Sequence, residues 1–289
     1  MIRVYILLSA VLFACKKPSN VAGQPLFEKG VSQGKVSSKL EEASGLVASI
    51  SNPGYLWTIN DSGNPAEVFL LDEKAEIVMT CKLEKIKNRD WEDIALGPAD
   101  EAGRSYLYVG EIGDNEAKYE YKYLYKFVEP TFTGDKKVSI NKVDTIVINL
   151  PDGKRDMESF TIDQSSGDMY FISKREKEVN VYMVPPHLQQ TDTLVPEKIL
   201  SIPFHNVVAA DISPDGTEWL IKTYDEVLYW QKSDSLSITE MLKTKPIKLP
   251  YKPEPQGESV AWSRDAKGYF TVSESKDGEK AKLYYYKRH

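Results

Sequence analysis

One unit recurs five times along this chain, and each copy opens on a short strand that usually begins with an acidic side chain. The openings are Ser44-Gly45-Leu46, Glu92-Asp93-Ile94, Glu158-Ser159-Phe160, Ala210-Asp211-Ile212 and Glu258-Ser259-Val260. Self-similarity at a period of ~40–50 residues marks stacked supersecondary units, none of which buries its apolar face alone. Only certain ring or solenoid folds bring five such openings to one place.

The rest of each unit specifies a four-stranded blade. A glycine-containing turn follows each opening strand: Asn52-Pro53-Gly54, residues 97–103, Ser165-Ser166-Gly167, Pro214-Asp215-Gly216 and residues 265–268. Gly, Pro, Asp and Asn supply the backbone angles that such turns require. Second strands rich in aromatic and β-branched residues come next, such as Tyr55-Leu56-Trp57-Thr58-Ile59 and Tyr269-Phe270-Thr271-Val272. Third strands follow over 68–71, 123–127, 181–184, 227–230 and 283–286. Short strands of this composition at regular spacing, with no long helical period between them, argue for an all-β ring.

Fourth strands are predicted over 77–81, 145–150, 198–202 and 246–249, the last three ending just before Pro151, Pro203 and Pro250. The fifth unit has none, whereas a matching segment, 35–40, precedes the first unit. Pairing that segment with the C-terminal blade closes the ring and removes exposed sheet edges. The expected fold is an all-β, five-bladed β-propeller with four-stranded antiparallel blades. A six-bladed ring is the main competitor and needs a further blade within 98–143, a stretch more simply read as one blade with long loops.

The N-terminus bears on location. Residues 1–14 carry one cation, Arg3, an apolar run over 4–13, and then Leu12-Phe13-Ala14-Cys15. That run is a secretory signal rather than a membrane span, which takes about 20 apolar residues. It resembles a bacterial lipoprotein signal, apart from a bulky Phe13. The resemblance implies lipidation at Cys15, with an ordinary signal peptide as the alternative. Residues 15–31 read as a polar tether and 32–289 as a single propeller domain. The protein is then expected at the bacterial cell envelope, meeting the membrane only through its anchor. Lys16-Lys17 lacks the aspartate associated with inner-membrane retention, which favours the outer membrane. Charged residues make up 28% and the net charge is −6, so no basic field suggests nucleic acid. A monomer is expected. Cys81 lies in an alternating strand and reads as an inert core or half-buried thiol.

Propeller geometry turns these positions into a site. Strands alternate in direction within a blade, so residues opening the first strand converge with those ending the second on one mouth of the central channel. Before first strands stand Arg89-Asp90-Trp91-Glu92-Asp93, Arg155-Asp156-Met157-Glu158-Ser159, Glu42-Ala43-Ser44-Gly45 and Gln256-Gly257-Glu258-Ser259. After second strands come Asn60-Asp61-Ser62-Gly63-Asn64, Glu111-Ile112-Gly113-Asp114-Asn115, Lys174-Arg175-Glu176, Lys222-Thr223-Tyr224-Asp225 and Glu274-Ser275. Carboxylates packed around a narrow mouth must be protonated, paired with cations such as Arg89, Arg155, Lys174 and Lys222, or neutralised by a metal. Oxygen donors without clustered His or Cys select a hard ion, and Ca²⁺ tolerates an irregular cage. The alternative is that Arg–Asp and Arg–Glu pairs only staple neighbouring blades.

At these residues a family resemblance appears. A glutamate before Ser-Gly-Leu, a strand leading into Asn-Asp, then Asp-x-Glu-x-Ile is similar to the bacterial propeller family called SdiA-regulated. The pair Asp90-Trp91-Glu92-Asp93-Ile94-Ala95 and Glu111-Ile112-Gly113-Asp114-Asn115 also resembles secreted propellers labelled phytase-like or esterase-like. In those, Asp stands where this chain has Glu111. The resemblance implies an extracytoplasmic five-bladed ring with a shared calcium site. By position it carries over Glu42, Asp61, Asp90, Glu92, Glu111 and Asp114, to which the repeat adds Glu158 and Glu258 as metal candidates.

Ligand contacts are expected at Trp91, Arg89, Arg155 and His205, the last also a candidate general base. The ligand class stays open among small molecule, glycan and protein. No Gly-x-Ser-x-Gly elbow, HExxH or phosphate-cradling loop occurs. No catalytic residue is therefore assigned, and a calcium-binding scaffold or binding module is the favoured reading. A metal-dependent hydrolase of phosphoesters, lactones or glycosides is the alternative. The tyrosine-rich run 119–127 alternates at period two, which favours packing between blades over a sugar platform.

Overall fold

Each unit folds into one antiparallel sheet, and in the computed structural model, which describes residues 25–189 and 193–289, five sheets form a five-bladed β-propeller. Blade 1 comprises Ala43–Ala48, Leu56–Asn60, Glu67–Leu71 and Ile77–Leu83. Blade 2 comprises Trp91–Gly97, Tyr106–Glu111, Tyr121–Val128 and Asp144–Asn149. Blade 3 is built from Met157–Ile162, Met169–Ser173, Val179–Val184 and Glu197–Ile202, and blade 4 from Val207–Ile212, Glu218–Thr223, Val227–Gln231 and Ile247–Leu249. Blade 5 supplies Ser259–Trp262, Gly268–Val272 and Lys282–Lys287, with Val31–Lys35 as its outermost strand. Inner strands of neighbouring blades touch all the way round, so the ring is closed. No helix among the described residues is long and apolar enough to cross a membrane.

The apolar residues sit between blades rather than inside one. Alternation puts one face of every strand against the preceding blade and the other against the next. Five clusters result, one per blade interface. Between blades 1 and 2, for instance, Trp57, Trp91, Val109, Tyr125 and Phe127 pack together. The tyrosine-rich strand of blade 2 thus spends one face on inter-blade packing, as its period predicts. Cys81 lies fully buried in the same cluster, and burial pushes its thiol up to about 12.

Three details depart from expectation. The closing strand is Val31–Lys35 instead of 35–40, paired from Val31 opposite Tyr285 to Lys35 opposite Lys282. Val36 and Leu40 are apolar and turn inward beneath blade 1, so the chain leaves the sheet at that point. The ring also begins earlier than residue 32. Phe27 is buried against Tyr229, Trp262 and Tyr269, and the Leu26 carbonyl accepts from the His289 amide at 3.1 Å. Two blades carry a fifth strand. Lys137–Ile140 runs back from blade 2 to pair in parallel with Ile77–Leu83 of blade 1, and Thr193–Leu194 pairs in parallel with Asp144–Asn149. The stretch 98–143 is accordingly one blade with a long return, not a sixth blade. The lipidation candidate Cys15, the signal segment and the first part of the tether lie outside the described residues.

Candidate metal centre at the channel mouth

The inner strands of blades 1 to 4 share a bulge at their mouth end. Pairing skips one residue between Ser44 and Leu46, Trp91 and Asp93, Met157 and Ser159, and Val207 and Ala209. A bulge re-aims the side chain of the extra residue. That residue is Gly45, Glu92, Glu158 or Val208. At Gly45 the φ of +63° suits glycine, and an added Cβ would meet the blade 2 backbone at 2.8 Å. Glu258 precedes the inner strand of blade 5 at the equivalent place. Blade 4 has no acid there, and its Ala210-Asp211-Ile212 lies two residues further along the channel than the openings of the other blades.

The mouth is a cavity of about 220 Å³ lined by Asp61, Glu92, Glu158, Glu258, Asn115, Lys174, Arg175, Asn206, Tyr224 and Gln256. Carboxylate oxygens fall within 4.8 Å of one another in three overlapping sets: Asp61–Glu258–Glu274, Asp61–Asp90–Glu92 and Glu92–Asp156–Glu158. They form a continuous arc over blades 5, 1, 2 and 3. Glu92 is 3% exposed, and its carboxylate has neither a hydrogen bond nor an ion pair among the described residues. Burial pushes it well above the usual carboxylate range, and Glu158, Asp61, Asp90 and Glu258 push it further. Burial likewise raises Asp61 to about 7, with Asp90, Glu258 and Glu42 adding repulsion. Glu274, half-buried beside Glu258, Asp61 and Glu42, is raised to about 8 by burial and by their charges. Asp90 moves up from burial and from Asp156.

Cations occupy the rest of the circle. Lys174 forms an ion pair with Glu158 and stands 3.9 Å from Glu258, which also accepts from the Tyr224 hydroxyl at 2.7 Å. Glu158 is nevertheless raised to about 8, because burial outweighs Lys174, and its Oε2 has no partner. Arg175 meets Asp156 at 2.5 Å. Lys222 is wholly buried near Glu254 and Glu258, donating to the Thr223 carbonyl at 2.9 Å and to the Tyr251 hydroxyl at 3.1 Å, and burial lowers it to about 8.

Of the metal candidates read from sequence, Asp61, Asp90, Glu92, Glu158 and Glu258 share the arc. Three stand apart. Asp114 is committed elsewhere, accepting from the Lys118 and Tyr119 amides at 2.8 Å and pairing with buried Lys122 at 2.9 Å. Glu111 accepts from the Tyr125 hydroxyl at 3.0 Å and pairs with Arg89 at 3.5 Å. Glu42 is exposed on the rim and receives the Asn64 amide at 2.5 Å.

The expected ligand contacts largely face elsewhere. Trp91 is fully buried against Tyr125 because the bulge sends Glu92, not its neighbour, to the channel. Arg89 lies over the Tyr119 ring at 4.0 Å, and Arg155 is held by Asp152 and Glu176. His205 is exposed, its Nδ1 3.0 Å from the Glu176 carbonyl, and does not line the cavity. Glu274 and Asp156 join the arc too, placed on the mouth by the repeat although not among the metal candidates. The signal for their role is that same repeat position, since Glu274 follows a second strand and Asp156 matches Asp90.

Fold and mouth together define a five-bladed propeller with an acidic axial site. No family model matches the chain, and no curated protein matches it.

Proposed function

We propose that this protein is an extracytoplasmic, lipid-anchored propeller that binds Ca²⁺ at the acidic mouth and serves as a binding or scaffolding module. The observation that carries this is Glu92, a buried carboxylate without a donor at the centre of an arc of acids. Such a group needs either a proton or a cation. Asp61, Asp90, Glu92, Glu258 and Glu274 would hold the ion, an all-oxygen set suited to a hard divalent cation. These five acids come from blades 5, 1 and 2, so a bound ion would tie three blades together across the seam where the chain ends meet. The resemblance to the SdiA-regulated propellers and the lipoprotein-like N-terminus support the calcium and the location.

Thermal melts of the full chain with chelator and with Ca²⁺ test this. A ligand at ~100 times its Kd adds about 2.7 kcal/mol of stability. The wild type should show such a gain and Glu92→Gln should lose most of it. A melting temperature that ignores both chelator and Ca²⁺ removes the reading. Turnover of a phosphoester, lactone or glycoside that disappears with chelator and in Glu92→Gln would replace it with a hydrolase.

A further inference from the structure

A second cavity lies away from the mouth. It measures about 470 Å³ and sits between blades 5 and 1, on the face formed by loops joining first strands to second strands. Leu56 and Ala48 form its buried floor, and Tyr55, Phe270 and Tyr285, all half-buried, line it. Phe270 and Tyr285 pair across strands, ring centroids 4.7 Å apart. Gly268 allows this arrangement, since a Cβ there would meet the Tyr285 ring at 2.5 Å.

Arg264 lines the same cavity and differs from every other described arginine. Arg89 pairs with Glu111, Arg104 with Asp100, Arg155 with Asp152 and Glu176, Arg175 with Asp156, and Arg288 with Glu218. Arg264 has no ion pair among the described residues, although it is half-buried, and its Nη1 donates to the Gln164 amide oxygen at 2.9 Å. Burial lowers its affinity for the proton, and Asp211 and Glu129 act on it only from beyond ion-pair range. Two other charges line the cavity. Asp265 is engaged by Lys267 at 3.2 Å and by the Ser263 hydroxyl at 2.8 Å, and Glu73 is exposed at the edge. A half-buried guanidinium that closes no ion pair with its nearest carboxylates is a ready fork for an oxyanion. Aromatic faces beside it suit the flat side of a ring.

We propose that this groove binds a small acid in which a ring carries one oxyanion, with Arg264 holding the oxyanion and Phe270 and Tyr285 bordering the ring. The inference is independent of the calcium reading. Sugar acids and aromatic acids share this chemistry, so glucuronate and benzoate are the probes, with glucose and acetate as controls. Binding to the full chain is measured by calorimetry and by chemical-shift changes at the lining tyrosines. At least one ring acid should bind saturably, with glucose and acetate weaker by about tenfold or more. Arg264→Gln should weaken the acid by a similar factor, and Tyr285→Leu should weaken the ring acids while leaving acetate unchanged. The proposal is overturned if neither ring acid binds, or if Arg264→Gln binds as the wild type does. If Arg264→Gln fails to fold, the wild-type contrast decides, and glucose binding equal to glucuronate overturns it.

Discussion

Glu129 and Glu92 are equally buried, each 3% exposed, and the fold treats them in opposite ways. Glu129 stands at the end of the third strand of blade 2 and reaches into blade 1. It accepts from the hydroxyls of Ser49 and Ser105, the Ile50 and Ser51 amides at 3.1 and 2.9 Å, and the Trp57 indole at 2.9 Å. Burial alone would raise its pKa, yet these donors bring it below the usual carboxylate value. Glu92 receives no donor and stands among like charges, so its pKa rises. Depth therefore does not determine what a buried acid does. Donors make Glu129 a clamp between two blades, and their absence leaves Glu92 open to a proton or an ion.

The largest effect should come from breaking the clamp. Glu129→Ala strands two amides and an indole N–H, and removing one partner of a buried charged network costs about 3–5 kcal/mol. Denaturant unfolding should record that loss, and Ca²⁺ should not restore it selectively. Glu92→Gln should do the reverse: chelator-treated protein melts no lower than wild type, because repulsion is relieved, while Ca²⁺ binds about tenfold or more weaker by calorimetry.

The pH dependence sharpens the contrast. Asp61, Glu274 and Glu158 titrate near 7 to 8 when folded, against about 4 unfolded, so the folded chain holds more protons in that window. Metal-free stability should be greatest at or below about pH 4 as far as these acids decide it, and fall as pH rises from there towards about 8. The melting-temperature gain from Ca²⁺ should grow over the same range, because the ion displaces those protons. Melts between pH 5 and 8 with and without chelator check both slopes. Glu129 adds the opposite slope only below about pH 4.5, where a lowered carboxylate regains its proton.

Smallest is the effect of the internal cation. Lys174 already pairs with Glu158 at one end of the arc, so Lys174→Met should tighten Ca²⁺ by about threefold to tenfold while lowering metal-free stability. Weaker Ca²⁺ binding in that variant would mean the ammonium positions the acids instead of competing with the ion.

Much of the ring was legible in the residues, because its signals are local. Period-two alternation and turn glycines placed most blade strands within a residue or two, and the convergence of Asp61, Glu92, Glu158 and Glu258 followed from strand direction alone. The misses depended on pairing. Val36 and Leu40 look like strand residues but are wanted by the core, which moved the closing strand to Val31–Lys35. Trp91 and Glu92 are adjacent, and only the bulge decides which one faces the channel. Asp114 and Glu111 are acids at the expected end of the expected strand, yet Lys122, Tyr125 and Arg89 absorb them.

By itself the sequence determined the repeat, the blade strands and an acid-rich rim, since spacing and alternation are properties of neighbours along the chain. Which carboxylates are left bare was decided only by the tertiary structure. Hydrogen-bond donors reach an acid from other blades, as Ser49 and Trp57 reach Glu129, and no linear pattern records their arrival or their absence.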